Sequence, residues 1–211
     1  MAITISGTTG VAGVDGSATA PATAGTDSNS GIYYGADVIK FSTGGTERMS
    51  ITNTGFTGIS EGKILQVVTT YKSDEYSNTG GWNDVTGMTI AITPSATSSK
   101  ILFQESCDYA GGVYVSVKFQ FKIASGSYAD LALPTAAGNR TAAHHRHSCY
   151  NNESDKGPTG WSYLHSPNTT DEVTYKMQMN GTGRLNYPGN GGNSASYTQG
   201  SSSLFAWEIA G

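Results

Sequence analysis

VYVSVKFQFKI, residues 113–123, decides the fold class. Val113, Val115, Val117, Phe119, Phe121 and Ile123 fall on one face of an extended chain, and Tyr114, Ser116, Lys118, Gln120 and Lys122 on the other. A strict period of two gives one buried and one solvated face, as in an antiparallel sheet. The same reading extends in both directions. Residues 171–180 (DEVTYKMQMN) turn Val173, Tyr175, Met177 and Met179 inward, and residues 203–210 (SLFAWEIA) set Leu204, Ala206 and Glu208 opposite Phe205, Trp207 and Ile209. Upstream, residues 64–71 (ILQVVTTY), 88–93 (MTIAIT, stopped by Pro94) and 100–107 (KILFQESC) read as strands. No segment carries a helical period, so residues 62–211 are expected to form an all-β sandwich, jelly-roll-like in its winding.

Residues 1–61 read differently. In residues 31–56 (GIYYGADVIKFSTGGTERMSITNTGF) short apolar runs alternate with Gly, Asn and Thr turns, and no leucine precedes Leu65. Residues 1–60 hold 11 glycines and 6 charges, too little apolar surface for a core of their own. The expectation is an extended N-terminal stalk that becomes ordered around copies of itself, with Ile39, Phe41, Met49 and Ile51 buried between chains. The run GSATAPATAGTDSNS, residues 16–30, is either extended along a partner or disordered.

Bulk composition excludes several classes. Charged residues make up 13%, about half the roughly 25% usual in soluble domains, and the formal net charge is −4. No basic stripe is available for phosphate contacts, so nucleic acid is not an expected partner. No apolar run approaches the roughly 18 residues of a membrane span, so membrane insertion is not expected. MAITISGTTG lacks the basic and apolar regions of a secretory leader, which predicts synthesis in a cytoplasm. Cys107 and Cys149 are too few for a disulfide framework and read as free thiols.

Several longer segments resemble fibre proteins of tailed bacteriophages, particularly phages of marine bacteria. These are residues 16–22 (GSATAPA), 25–33 (GTDSNSGIY) and 41–51 (FSTGGTERMSI), joined downstream by residues 62–68 (GKILQVV), 92–102 (ITPSATSSKIL), 137–140 (AGNR) and the ending EIAG, residues 208–211. The resemblance implies a virion protein that forms a homotrimer. Three chains would intertwine along the stalk, the N-terminus would grip another virion protein, and three sandwich heads would surround a common axis. It further implies a non-enzymatic role that contributes to host attachment through a surface glycan or protein. The alternative it leaves is a capsid, vertex or tail-assembly protein without receptor binding. Related fibres often repeat the shaft segment or carry a self-cleaving chaperone domain; here there is one shaft segment, which reads as a short fibre.

Candidate chemistry concentrates in AAHHRHSCY, residues 142–150. On a strand, His145, His147 and Cys149 share one face, with His144 and Arg146 on the other. Imidazole and thiolate are metal ligands. A His145/His147 pair repeated about a threefold axis would converge six nitrogens, as the fibre resemblance implies, and an intrachain zinc site with Cys107 is the rival arrangement. The ordinary reading is a polar strand with histidines packed on aromatics, and no metal or cofactor is expected. The carboxylate pairs Asp74/Glu75, Glu153/Asp155 and Asp171/Glu172 sit in polar turns, where solvated surface is the ordinary reading. Recognition is better suited by aromatics on Gly/Asn-rich loops: Trp82 in residues 76–82, Trp161 in 150–161, and Tyr187 and Tyr197 in 186–197. Trp207, on a strand, reads as a core or intersubunit anchor.

Overall fold

The computed structural model describes residues 4–6, 10–12, 14–58, 62–110, 114–147, 156–187 and 199–211. Among these residues there are strands and turns but no helix. The chain divides into two compact units, Met1–Lys63 and Ile64–Gly211.

The N-terminal unit is built from hairpins of short strands. β1 (Thr4–Ser6) pairs with β2 (Gly10–Ala12), and β3 (Gly16–Ser17) with β4 (Ala20–Pro21). A five-stranded antiparallel meander follows: β5 (Thr23–Ala24), β6 (Gly31–Gly35), β7 (Val38–Thr43), β8 (Thr46–Thr52) and β9 (Gly55–Thr57). Gly44 and Gly45 carry φ of 59° and 73°, the left-handed pair that a two-residue hairpin between β7 and β8 requires. The register sorts the side chains by face. Ile32 lies across from Phe41 and Phe41 from Met49, while Tyr34, Ile39, Ile51 and Phe56 form the neighbouring row. The opposite face carries Tyr33, Lys40 and Ser50; there the Tyr33 hydroxyl donates to Glu47 at 2.8 Å and Lys40 pairs with the same carboxylate at 3.1 Å.

The C-terminal unit is a sandwich of two antiparallel sheets. Its strands are β10 (Ile64–Lys72), β11 (Tyr76–Thr79), β12 (Asn83–Ile92), β13 (Lys100–Ala110), β14 (Val115–Ile123), β15 (Ala129–Asp130), β16 (His145–His147), β17 (Lys156–His165), β18 (Val173–Asn180), β19 (Thr182–Leu185) and β20 (Ser202–Ile209). One sheet has six strands in the order β10-β20-β13-β19-β11, with β17 on the other edge of β13. The second has five, β12-β18-β14-β15, with β16 also on β14. The eight principal strands thus run β10-β20-β13-β17 in one sheet and β12-β18-β14-β16 in the other. Strands distant in sequence lie side by side, the double Greek-key winding of a jelly roll.

Between the sheets lies one apolar core. Phe103 of β13 meets Phe119 of β14 edge-on at 5.1 Å and stacks on Tyr175 of β18 at 5.0 Å. Val115, Val117, Val173, Met177, Met179, Leu204 and Ala206 are fully buried around them. Some of the polar groups that enter this core are fully satisfied. Glu208, on the inner face of β20, accepts hydrogen bonds from the Ser95 N–H (2.6 Å) and from Gln66 Nε2 (2.7 Å). Burial raises its pKa, but these donors outweigh burial and hold it below the usual glutamate value.

Two local readings of the sequence are corrected. Residues 156–161, expected in a loop, belong to β17, which pairs along β13 from Ile101↔His165 to Ala110↔Lys156. Gly157, Pro158 and Gly160 suggest a loop, yet a proline is tolerated on an edge strand, where its missing N–H costs no ladder bond. The strand expected at residues 88–93 begins earlier, at Asn83. A register shift between Asp84 and Thr89, with Gly87 at φ 83°, reverses the alternation so that both Val85 and Met88 reach the core.

Candidate functional site

The outer face of the five-stranded sheet gathers much of the cationic and aromatic chemistry of the chain. From β14 it presents Ser116, Lys118, Gln120 and Lys122, lying across from Asn180, Gln178, Lys176 and Thr174 of β18. Arg146 of β16 lies across from Ser116 on the other side. Each of four cations sits over a ring: Arg146 on Tyr114 at 3.6 Å, Lys176 on Tyr128 at 4.0 Å, Lys118 on Trp82 at 5.0 Å and Lys122 on Tyr128 at 5.4 Å. Two carboxylates fasten the middle of the face. Asp130 takes Lys118 at 3.0 Å and Gln120 at 2.8 Å, and Asp84 takes Lys176 at 2.8 Å and Gln178 at 2.7 Å. Partial burial raises the pKa of each aspartate, but these donors bring both below the ordinary value, so the face carries fixed charges at neutral pH.

At one end of this face lies a groove of about 610 Å³, lined by Tyr114, Asn139, Arg140, Arg146 and Asn180 among others. Its floor is set by Gly181, whose φ of 96° and closeness to the Tyr114 carbonyl oxygen leave no room for a Cβ. Asn78, buried beneath, donates to the carbonyl oxygens of Met179 (3.1 Å) and Gly181 (2.8 Å) and fixes that turn.

The histidine strand faces two ways. His145 and His147 pair with Val117 and Val115, whose side chains are fully buried, and so share the inner face of the sheet. There the His145 ring meets Tyr109 edge-on at 5.3 Å, and His147 stacks on the same ring at 6.3 Å. This corrects the axial arrangement, since rings turned into a sandwich cannot converge on an axis between chains. His145 Nε2 lies 3.4 Å from Glu105 Oε2, and Glu105 is buried. The Tyr109 hydroxyl donates to the other Glu105 oxygen at 2.8 Å. Among the described residues, no group of three or more His, Cys, Asp or Glu side chains has metal-holding geometry. Cys107 lies on the same inner face of β13, where burial, with Glu105 next, pushes its thiol far up. Cys149, Glu153 and Asp155 fall outside the described residues.

His144 has a structural part that its sequence context did not signal. Its Nδ1 accepts the Phe119 backbone N–H at 3.1 Å while Nε2–H donates to the Leu131 carbonyl, so the neutral ring splices the 131–144 connection onto β14. Burial lowers its pKa.

The loop aromatics do not form one site. Trp82 occupies the turn between β11 and β12, half-exposed beneath Lys118. Trp161 lies on β17, not on a loop; its indole stacks on Phe119 at 5.2 Å and meets His144 at 4.2 Å. Tyr187 is buried, with the Arg184 guanidinium over its ring at 4.0 Å. Burial removes Tyr187 from the recognition surface expected of it, and Trp161 is partly buried against the core. Tyr197 lies outside the described residues. The groove residues Tyr114, Arg140 and Arg146 were missed. Tyr114 and Arg146 were legible only as the outward members of two strands, and nothing in the sequence brings those strands side by side.

No family model matches the chain. A search of curated proteins also returns no match. Among solved structures, the VP2 subviral particle of infectious bursal disease virus aligns with 82% of this chain at 11% identity and a TM-score of 0.37. A structure of the Gx strain of the same virus aligns with 74% at 9% identity and a TM-score of 0.36. The chain spans 42% and 39% of those two chains. Overlaps this loose carry no weight for the fold or the role.

Proposed function

We propose that this chain is a non-enzymatic virion fibre protein that assembles as a homotrimer and displays its sandwich as a head contributing to host attachment. The observation that carries the reading is the face of the β5–β9 sheet formed by Ile32, Tyr34, Ile39, Phe41, Met49, Ile51 and Phe56. Every one of these side chains is aromatic or aliphatic, yet Phe56 is 63%, Tyr34 42% and Ile39 41% exposed in the single chain. A contiguous apolar face of this kind calls for a partner. The occupant proposed is the same face of two further copies; the depression beside Tyr34, Ile39 and Ile51 is open rather than enclosed and would bury little of a small ligand.

The head supports the same assembly. Across the outer face of its six-stranded sheet, Val67, Trp207, Leu102 and Leu164 form one continuous row. Val67 and Leu164 are each 46% exposed. With this row turned to neighbouring heads, the polar face of the other sheet is left outward. The likeness of residues 16–22, 25–33 and 41–51 to phage fibre segments supplies the setting, with the N-terminus gripping another virion protein.

Immunogold electron microscopy of phage particles, using antibody raised against the purified chain, tests the reading. Gold along the tail supports an adsorption fibre. Gold on the capsid makes the chain a head fibre or decoration protein, and particles without label would sink the virion assignment.

A further inference from the structure

We propose that the groove between Tyr114, Arg140 and Arg146 is a binding site for an acidic polysaccharide, one whose sugar units carry carboxylates. The assignment deepens the display reading by naming the ligand and the surface, and rests on it for biological context only; the chemistry stands on the groove itself.

Charge is the first argument. The chain has 12 Lys and Arg against 16 Asp and Glu, yet among the described residues two guanidiniums line this one groove and no carboxylate does. Further along the same face, Lys118 and Lys176 are neutralised by Asp130 and Asp84. Neither Arg140 nor Arg146 has an ion-pair partner among the described residues. Guanidinium matches a planar carboxylate through two parallel N–H···O bonds, a geometry that lysine lacks.

Shape and preorganisation are the second. Arg146 is already stacked on Tyr114, so little rotamer freedom remains to be lost when it meets an anion. Tyr114 is 53% exposed, leaving ring surface against which the apolar face of a sugar can lie. Asn139, Asn180 and Ser116 offer neutral donors and acceptors at the walls, suited to hydroxyls. A volume of about 610 Å³ falls within the ordinary range for small-ligand sites of ~300–1,000 Å³. Nucleic acid is the weaker occupant, because a phosphate backbone rewards a continuous run of cations and this chain is acidic overall.

The test measures binding of the full-length chain to immobilised polygalacturonate, with neutral dextran, dextran sulfate and single-stranded DNA as parallel surfaces. Binding to polygalacturonate that weakens with salt, and falls at least tenfold in both Arg140→Ala and Arg146→Ala, is expected. Arg146→Lys should recover only part of it, and Lys122→Ala, outside the groove, should bind as the parent does. Thermal melts of the variants separate loss of the site from loss of the fold; both arginines are surface side chains, and the melts should coincide. Absence of binding, equal binding by the arginine variants, retention on neutral dextran, or stronger retention on sulfate or DNA would each overturn the proposal. Failure here leaves virion labelling untouched, and unlabelled particles alongside arginine-dependent binding would instead remove the fibre reading and keep the site.

Discussion

Both units alternate apolar and polar side chains along antiparallel strands, but they dispose of the apolar face in opposite ways. In the C-terminal unit the inner faces of two sheets meet, and Phe103, Phe119 and Tyr175 disappear between them. In the N-terminal unit no second sheet covers the apolar face of the five-stranded meander among the described residues, and Ile39 and Phe56 remain open. A sheet must bury its hydrophobic face against something. The C-terminal segment supplies its own partner within one chain; the N-terminal segment is too short and too rich in glycine to do so. One part of the polypeptide thus seals its own core, while the other leaves an apolar face open.

The largest expected effect breaks that division directly. If the proposed trimer forms through the N-terminal unit, deleting residues 1–60 should give a monomer in light scattering while the far-ultraviolet spectrum of the remaining sandwich stays that of folded β-structure. Ile39→Asp in the full chain should act in the same direction, since it puts a charge into the apolar face proposed to pair between copies. A trimer that survives the deletion would move the assembly contact to the row from Val67 to Trp207.

The next effect sharpens the contrast from the other side. Phe103→Ala opens a cavity among Phe119, Tyr175 and Trp161, and such truncations cost about 3–5 kcal/mol. For a unit of this size that lowers the melting temperature by roughly 10 °C. The N-terminal unit shares none of these contacts, so the oligomeric state of the folded protein should not change; a change in mass at temperatures below the melt would show that the units are coupled.

The smallest effect is a pH dependence confined to the sandwich. His144 and His165 both have pKa values lowered by burial, so their neutral forms belong to the folded state. The stability this represents is fully present above the unfolded histidine value of about 6.5 and is lost as pH falls through the lower folded values. Protonating His144 at Nδ1 would set a ring N–H against the Phe119 N–H that it now accepts. Melting temperature should be level from pH 8 to about 6.5 and then decline. His144→Gln combined with His165→Gln should flatten the decline; an unchanged slope would assign it elsewhere. Asp84, Asp130 and Glu208, whose values are lowered, contribute only in a more acidic window.

Much of the fold was legible because period-two alternation survives in β14, β18 and β20, where each strand is sealed on one face. Legibility failed where a local device overrode the alternation. The bulge at Gly87 hides the first half of β12, and the glycines and proline of β17 imitate a loop because an edge strand tolerates them. The site was less legible than the fold. Trp161 and Tyr187 were picked out by loop-like composition, but Trp161 packs on Phe103 and Phe119 of other strands and Tyr187 is buried beside Arg184. The groove was invisible because Tyr114, Arg140 and Asn180 come from three separate stretches.

The sequence by itself determined the all-β character, the inward residues of the long strands and the poverty of residues 1–60 in core-forming side chains. These are matters of alternation and composition, which are local. Only the tertiary structure decided which strands lie side by side, and with that which face His145 and His147 occupy and which side chains meet at the Tyr114 groove. Pairing in a jelly roll joins strands as distant as β10 and β20. Its register is fixed by the burial of both sheets at once, which no single stretch of sequence contains.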